Sequence, residues 1–167
     1  AGVIGEIASH NAPTGRAEEY RLTDSEQMLF TAAAQAQQRT GAGIITHASL
    51  GRAGHAQLRL LEQAGADPAR VCIGHCDAES RANPLDDFDY YLPILEKGAF
   101  CAFDLIGWTE LTPDDVRAER VAALVKMGYA HQLLLSTDTC RLSQLHANGG
   151  RGYDYVWTSF LPLLRAR

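Results

Sequence analysis

The run GIITH (Gly43 to His47) and, 28 residues on, the run VCIGH (Val71 to His75) govern the reading of this chain. Each is a short apolar segment that ends on a histidine. Three further runs share the character: GVIGEI (Gly2 to Ile7), AFCAFD (Ala99 to Asp104) and QLLLSTD (Gln132 to Asp138). They are rich in Val, Ile, Leu and Phe and hardly alternate with polar residues, as parallel strands covered on both faces do.

Helix patterns lie between them. Thr23-Asp24-Ser25-Glu26 is a capping signal, with Thr23 as N-cap and Glu26 three residues on. The alanine-rich stretch then runs to about Thr40 and stops at Gly41. Further helices are predicted over Gly54 to Ala64 and over Phe88 to Lys97, the latter with Pro93 inside. A fourth starts at Thr112-Pro113, with Pro113 as its first helical residue, and reaches Met127. A fifth follows Gly152 and carries Tyr155, Val156 and Phe160. The stretch Leu85 to Tyr91, with three aspartates, reads as a solvated helix start.

The apolar runs begin at residues 3, 43, 71, 99 and 132, at intervals of 40, 28, 28 and 33. A β/α barrel of about 250 residues has eight units of about 31 residues each. The spacing matches barrel units, although a doubly wound open sheet also fits the alternation. No GxGxxG or GxxxxGK[ST] motif supports a nucleotide-binding version. The expected fold class is α/β, of the (β/α)8 TIM-barrel type, with about five βα units in a single partial barrel domain over residues 1–167. The chain opens on AGVIGEI with no methionine and no lead-in to its first strand, so a trimmed or partial chain is expected.

Composition narrows the function classes. The 167 residues hold 15 basic and 20 acidic side chains, a formal charge of −5, which leaves no electrostatic footprint for nucleic acid or an anionic membrane. No apolar run approaches the roughly 20 residues that span a bilayer, and no stretch reads as a secretory signal. Cys72, Cys76, Cys101 and Cys140 form no CxxC pair and read as reduced thiols, so a cytoplasmic location is expected.

The chemistry sits at the strand ends. Glu6 lies near the end of the first run, His47 ends the second, His75 the third, Asp104 the fourth and Asp138 the fifth. In parallel α/β folds the carboxyl ends of the strands build the active site. Imidazole nitrogen with carboxylate oxygen suits Zn²⁺ or Mn²⁺ better than Ca²⁺ or Mg²⁺. Glu6, His47, His75 and Asp138 supply enough ligands for one metal, and the two oxygens of Glu6 could bridge two. The matching chemistry is metal-assisted hydrolysis, with Asp138 accepting the proton of the attacking water or orienting it. Asp104 either hydrogen-bonds a ligating histidine or faces water. Arg151, in the Gly149–Gly152 loop, either meets an anionic substrate group or marks a solvated turn. Trp108 forms a pocket wall or packs under a loop. His10, His55, His131 and His146 read as loop or helix-surface residues, and the loop of His146 lies nearest the mouth.

GVIGEI, LTDSEQMLFTAAAQAQQRTGAGIITH, LEQAGADPARVCIGHCD, GAFCAFDLIG, YAHQLLLSTDTC and GGRGYDYVWTSFLPLL together resemble the phosphotriesterase-related family of the amidohydrolase superfamily. The resemblance covers essentially the whole chain. It implies a (β/α)8 barrel with a binuclear metal centre, commonly zinc, that hydrolyses phosphotriesters, lactones or related esters and amides. It implies that His47 and His75 bind one metal, that Asp138 binds the other and acts on the nucleophilic water, and that Glu6 stands where many members bridge the metals with a carbamylated lysine. The chain would correspond to strands four to eight, with the first three missing.

Two departures accompany the resemblance. The HxH pair of the family's first strand is absent from this sequence. Ala78 follows Asp77 where efficient phosphotriesterases often carry a second aspartate, and Leu105 follows Asp104 where relatives use histidine or arginine. A lactone, carboxyl ester or amide substrate stays open. So do a mononuclear hydrolase and a non-catalytic or inactive barrel fragment. The expected partners are a small-molecule substrate and, through apolar sheet edges at the first and fifth strands, a second copy of the chain.

Overall fold

A computed structural model describes residues 2–9, 21–48, 53–78 and 88–167. His10 and residues 85–87 lie outside them. Five strands form one sheet: β1 (Val3–Ser9), β2 (Gly43–Ala48), β3 (Val71–Ile73), β4 (Phe100–Phe103) and β5 (Leu133–Leu135). They pair in sequence order and every pairing is parallel. Between them run α1 (Asp24–Thr40), α2 (Gly54–Gln63), α3 (Phe88–Glu96) and α4 (Asp114–Lys126), and α5 (Leu161–Arg165) closes the chain.

The helices form where the local signals ask for them. Thr23 caps α1 in a full capping box with Glu26, and Gly41 ends it in the left-handed conformation at φ 70°. Pro113 is extended (ψ 143°) and stands before α4, so Asp114, not the proline, is the first helical residue. The last helical stretch begins as a π-helical turn over Val156–Phe160 before α5. At the start of α3 Asp89 is exposed, as the solvated reading expects, while Tyr90 and Tyr91 are buried in the core.

The core lies between the helices and one face of the sheet. Phe30 and Ala34 of α1, Leu58 and Leu61 of α2, Tyr91 and Ile94 of α3 and Leu124 of α4 meet Ile44, Val71, Ile73, Cys101 and Phe103 from the strands. The intervening strand residues face the other way. Val3, Ile45, Cys72, Phe100 and Leu134 line an apolar hollow of about 310 Å³. Val3 and Leu134 are 52% and 45% exposed. The low alternation of the sequence therefore reflects an apolar second face rather than one covered by helices, and β1 and β5 are the sheet edges.

A buried charge network ties the loops after β3 and β4 to α4. The Asp77 carboxylate takes the Nε–H of Arg117 at 2.6 Å and the backbone N–H groups of Asp104 and Leu105 at 3.2 Å each. Both side chains of the pair are fully buried. Arg117 also donates to Asp114 at 2.9 Å and to the Trp108 carbonyl at 3.2 Å, while Thr112 Oγ1 donates to the Asp77 carbonyl at 3.0 Å. Burial, with the nearby Asp104 charge, pushes the Asp77 carboxyl up to about 6 against the pull of Arg117.

Removing either partner leaves a buried charge uncompensated. Asp77→Ala and Arg117→Ala are each expected to cost about 3–5 kcal/mol, and the double replacement Asp77→Leu with Arg117→Met less than the sum of the two. Urea unfolding of the three variants measures this; additive costs would show that the pair does not act as a unit.

Candidate metal centre

The sequence-derived ligands gather toward the carboxyl side of the sheet, and all but His47 sit at a local departure from regular strand geometry. His47 follows plain alternation, two residues after the inward Ile45 on β2. Glu6 does not end its strand, which continues to Ser9. Between the pairs Ile4↔Ile44 and Ile7↔Thr46, Gly5 and Glu6 together oppose the single residue Ile45. This β-bulge lets Glu6 share the face that strict alternation would deny it. Gly5 has φ 136°, and a Cβ there would stand 2.3 Å from the Ile45 carbonyl oxygen, so the bulge requires glycine.

His75 lies two residues past β3, and Asp138 three residues past β5, each in the loop rather than on the strand. Both have left-handed backbone, φ 53° and 42°. Non-glycine residues rarely adopt that conformation, and it concentrates at functional sites. By alternation His75 would share the helix-facing side with Val71 and Ile73; the turn redirects its ring. A Cβ at Gly74 would meet the Thr46 carbonyl oxygen at 2.1 Å, so that turn also needs glycine.

The result is a convergent donor set. Glu6 Oε2 lies 3.3 Å from His47 Nδ1, and Glu6 Oε1 lies 4.0 Å from His75 Nε2. His47 Nδ1 and His75 Nε2 are 2.9 Å apart, with the rings edge-on at 82°. One donor atom from each of Glu6, His47 and His75 falls within 4.8 Å of the others. Among the described residues this is the one such cluster.

Asp104, one residue past β4, fixes the orientation of His75. Its Oδ1 lies 2.8 Å from His75 Nδ1, and its two oxygens accept the His75 backbone N–H at 3.0 and 3.1 Å. A carboxylate only accepts, so Nδ1 carries the proton and Nε2 faces Glu6 and His47. From the other side, Gln57 of α2 donates to the His47 carbonyl at 3.0 Å and to Ser9 Oγ at 2.8 Å.

The electrostatics ask for a cation. Burial opposes charge on His75, but the hydrogen bond to Asp104 and the fields of Asp104, Glu6 and Asp138 outweigh it and hold the imidazole up to about 9. Partial burial lifts the Asp138 carboxyl above its ordinary range, as do Asp104 and Glu6, against His75 and His47. Asp138 thus stands within electrostatic reach of the cluster but outside its tight donor set. Without metal, a proton on His75 Nε2 is shared toward His47. A divalent ion supplies positive charge at the same place, and two imidazoles with a carboxylate are a donor set suited to zinc. The residues present fit such an ion.

The other residues singled out in the sequence lie elsewhere. Arg151 lies on a separate cavity with Trp108. His146 pairs with Asp154 at 2.6 Å on the surface, and His55 of α2 stacks on Tyr90. Sequence reasoning missed Arg117 and Gln57. A buried arginine in a helix leaves no local signal, and Gln57 looks like any helix-surface glutamine.

The His75 shift has a pH consequence for metal-free protein. Its folded-state value of about 9 exceeds the ordinary 6.5, so its stabilisation is complete below about 6.5 and lost as the pH rises through 9. Thermal unfolding in the presence of a chelator should show this decline, and Asp104→Asn should flatten it. An equal decline in that variant would contradict the assignment.

The phosphotriesterase family model matches residues 1–167. The phosphotriesterase homology protein of Escherichia coli K12 is 40% identical over 165 residues, covering 99% of this chain and 52% of its own. Its crystal structure, complexed with phosphate in the active site, superposes with a TM-score of 0.84 at 38% identity over 98% of this chain and 52% of that one. The N-acetyltaurine hydrolase of Pongo abelii is 32% identical over 180 residues, covering 99% of this chain and 47% of its own. A lactonase from Listeria monocytogenes matches with a TM-score of 0.78 at 25% identity, over 96% of this chain and 44% of that one. The chain spans about half the length of these relatives. Its five parallel strands align with part of their barrel. This chain belongs to the phosphotriesterase family of the amidohydrolase superfamily.

Proposed function

We propose that this chain supplies much of the site of a metal-dependent hydrolase acting on a lactone, ester, amide or phosphotriester. The observation that carries the reading is the convergence of Glu6, His47 and His75, with Asp104 holding His75 in the tautomer a ligand needs. His47 Nδ1, His75 Nε2 and the Glu6 carboxylate would hold zinc or another divalent ion, and the second oxygen of Glu6 is available to a second one. When bound, the metal lowers the pKa of water to about 7 and polarises the bond under attack. Asp138 would orient that water and take its proton at a carboxylate oxygen. Its raised pKa suits a group that must both accept and release a proton. Asp104 keeps the His75 proton on Nδ1 throughout.

The substrate range follows the relatives' chemistry: N-acetyltaurine is an amide, the Listeria relative is a lactonase, and the Escherichia coli structure holds phosphate. On this reading the five strands are barrel strands four to eight. The free cysteines, three of them buried, accord with a reducing, cytoplasmic setting. The sheet edges β1 and β5, with Val3 and Leu134 exposed beside the hollow, would associate with a second copy of the chain. The competing reading is a barrel segment that binds metal without turnover, since the chain spans about half the length of its relatives.

Three measurements test these proposals. Zinc-loaded, dialysed chain should retain about one zinc, with the metal lost in His47→Ala and His75→Ala and held about 10–100-fold more weakly in Asp104→Asn. Metal-free protein after loading refutes the metal centre. Against a panel of lactones, esters, N-acyl amides and phosphotriesters, Asp138→Asn should lower turnover about 10²–10⁴-fold. Metal retention with no turnover by the unaltered chain favours the non-catalytic reading. Sedimentation of the isolated chain should show dimers or larger species, and a monodisperse monomer overturns the association.

A further inference from the structure

Two of the three clustered donors stand on neighbouring strands, Glu6 on β1 and His47 on β2. The ladder between these strands is interrupted beside them. Gly5 and Glu6 fall between the pairs Ile4↔Ile44 and Ile7↔Thr46, and regular register resumes at Ile7, with Ala8 opposite His47 and Ser9 opposite Ala48. A bulge bends its strand and leaves a residue unpaired. The separation of Glu6 from His47 is therefore not set by the ladder alone.

A buried glutamine bridges the two strands just beyond the bulge. Gln57 Nε2, on α2, donates to Ser9 Oγ at 2.8 Å and to the His47 carbonyl at 3.0 Å. The amide nitrogen has two hydrogens, and each strand takes one. A carbonyl only accepts, so the His47 contact fixes which way the amide points: nitrogen toward the strands, oxygen away. Among the described residues that Oε1 is buried without a hydrogen-bond partner.

Stability does not account for a glutamine here. Gln57 and Ser9 are both fully buried, and Leu58 and Leu61 of the same helix belong to the apolar core. Burying glutamine orders a rotamer-rich side chain, and an acceptor left unpaired in the core forfeits its bonds to water. An apolar side chain of the same length would avoid the orphaned oxygen but could not tie Ser9 to His47.

The spacing so held suits a cation. Two donors about 2.0–2.1 Å from a tetrahedral zinc stand about 3.3 Å apart, and Glu6 Oε2 lies 3.3 Å from His47 Nδ1. Two side chains divide the cluster between them: Asp104 aims His75, and Gln57 spans the strands of Glu6 and His47.

We propose that Gln57 is a positioning residue of the metal centre, clamping the carboxyl ends of β1 and β2 so that Glu6 and His47 grip one divalent cation together. This role rests on the metal-centre reading of the cluster. Gln57 acts through the backbone of His47 and the strand of Glu6, not by ligation.

Two readouts on the full chain test this without substrate: zinc affinity by competition with a chromophoric chelator, and the visible bands of the cobalt-loaded chain, which report ligand geometry. Gln57→Met should bind zinc about 10–100-fold more weakly and shift the cobalt bands. Ser9→Ala, which releases β1 from the bridge and adds no bulk, should lose affinity in the same direction, by less. Leu61→Ala, one turn further along α2, opens a cavity in the core and should lower the unfolding temperature while leaving zinc affinity and the cobalt bands unchanged. Unchanged affinity and bands in Gln57→Met would overturn the clamp, as would unchanged affinity in Ser9→Ala should Gln57→Met fail to fold. An equal loss in Leu61→Ala would also overturn it, by reducing the effect to general destabilisation. An unaltered chain that takes up no zinc removes the metal centre and this role with it; zinc bound equally by the unaltered chain and Gln57→Met removes the role alone.

Discussion

The contact between Asp104 and His75 is the constraint on which the site depends. One carboxylate meets both the ring Nδ1 and the backbone N–H of the same histidine. The backbone bonds offset the cost of holding His75 in left-handed conformation, and the ring bond chooses its tautomer. Asp104 is secured in turn: its own backbone N–H goes to Asp77, and Asp77 is held by Arg117 from α4. The donor geometry at the mouth is thus inherited from a buried ion pair behind it. Such a pair contributes little net stability, because desolvation consumes most of the attraction. Its value here is positional, since it fixes Asp77 against the backbone of Asp104 and Leu105.

The concentration of acid follows from the same arrangement. Glu6, Asp104 and Asp138 would repel one another in an empty, half-buried site. A proton retained on His75 relieves that repulsion, and the imidazole's elevated pKa expresses it. Binding a divalent cation must displace that proton, so affinity rises with pH and binding releases acid. A purely structural histidine would not need three carboxylates within its field.

Much of this was legible in the sequence. Strand spacing, the capping box at Thr23 and the glycine stop at Gly41 located the sheet units and α1, because those signals are local. The site residues were legible by position, since parallel strands bring their carboxyl ends together. Their orientation was not. Alternation alone aims His47 correctly, but it sends Glu6 and His75 to the wrong face. The bulge at Gly5 and the left-handed turn at His75 correct this, and both depend on close approaches to the neighbouring strand β2, at Ile45 and Thr46. The Gly-Glu and Gly-His pairs hint at such turns, yet glycine serves many purposes. Arg117 and Gln57 were illegible for a related reason: their partners, Asp77 and Ser9, lie 40 and 48 residues away.

Along the inward parity of the sheet the character of the side chains changes with height. Near the amino ends stand Val3, Ile45, Cys72, Phe100 and Leu134; near the carboxyl ends stand Glu6, His47 and, past the strands, Asp138. The lower layer has no hydrogen-bonding capacity beyond a thiol, so it cannot compete for a ligand or hold ordered water close to the donors. An apolar layer on one side also reduces screening, which strengthens the pull between the carboxylates and whatever positive charge they share. Burial of that layer and the strength of the donor set are therefore coupled: covering the hollow with further protein tightens the electrostatics above it without moving any ligand. On its buried side the core already excludes water from His75; that desolvation by itself lowers the imidazole, and the fields of Asp104, Glu6 and Asp138 outweigh it. Closing the hollow would extend the same effect to Glu6, whose side chain is still 47% exposed.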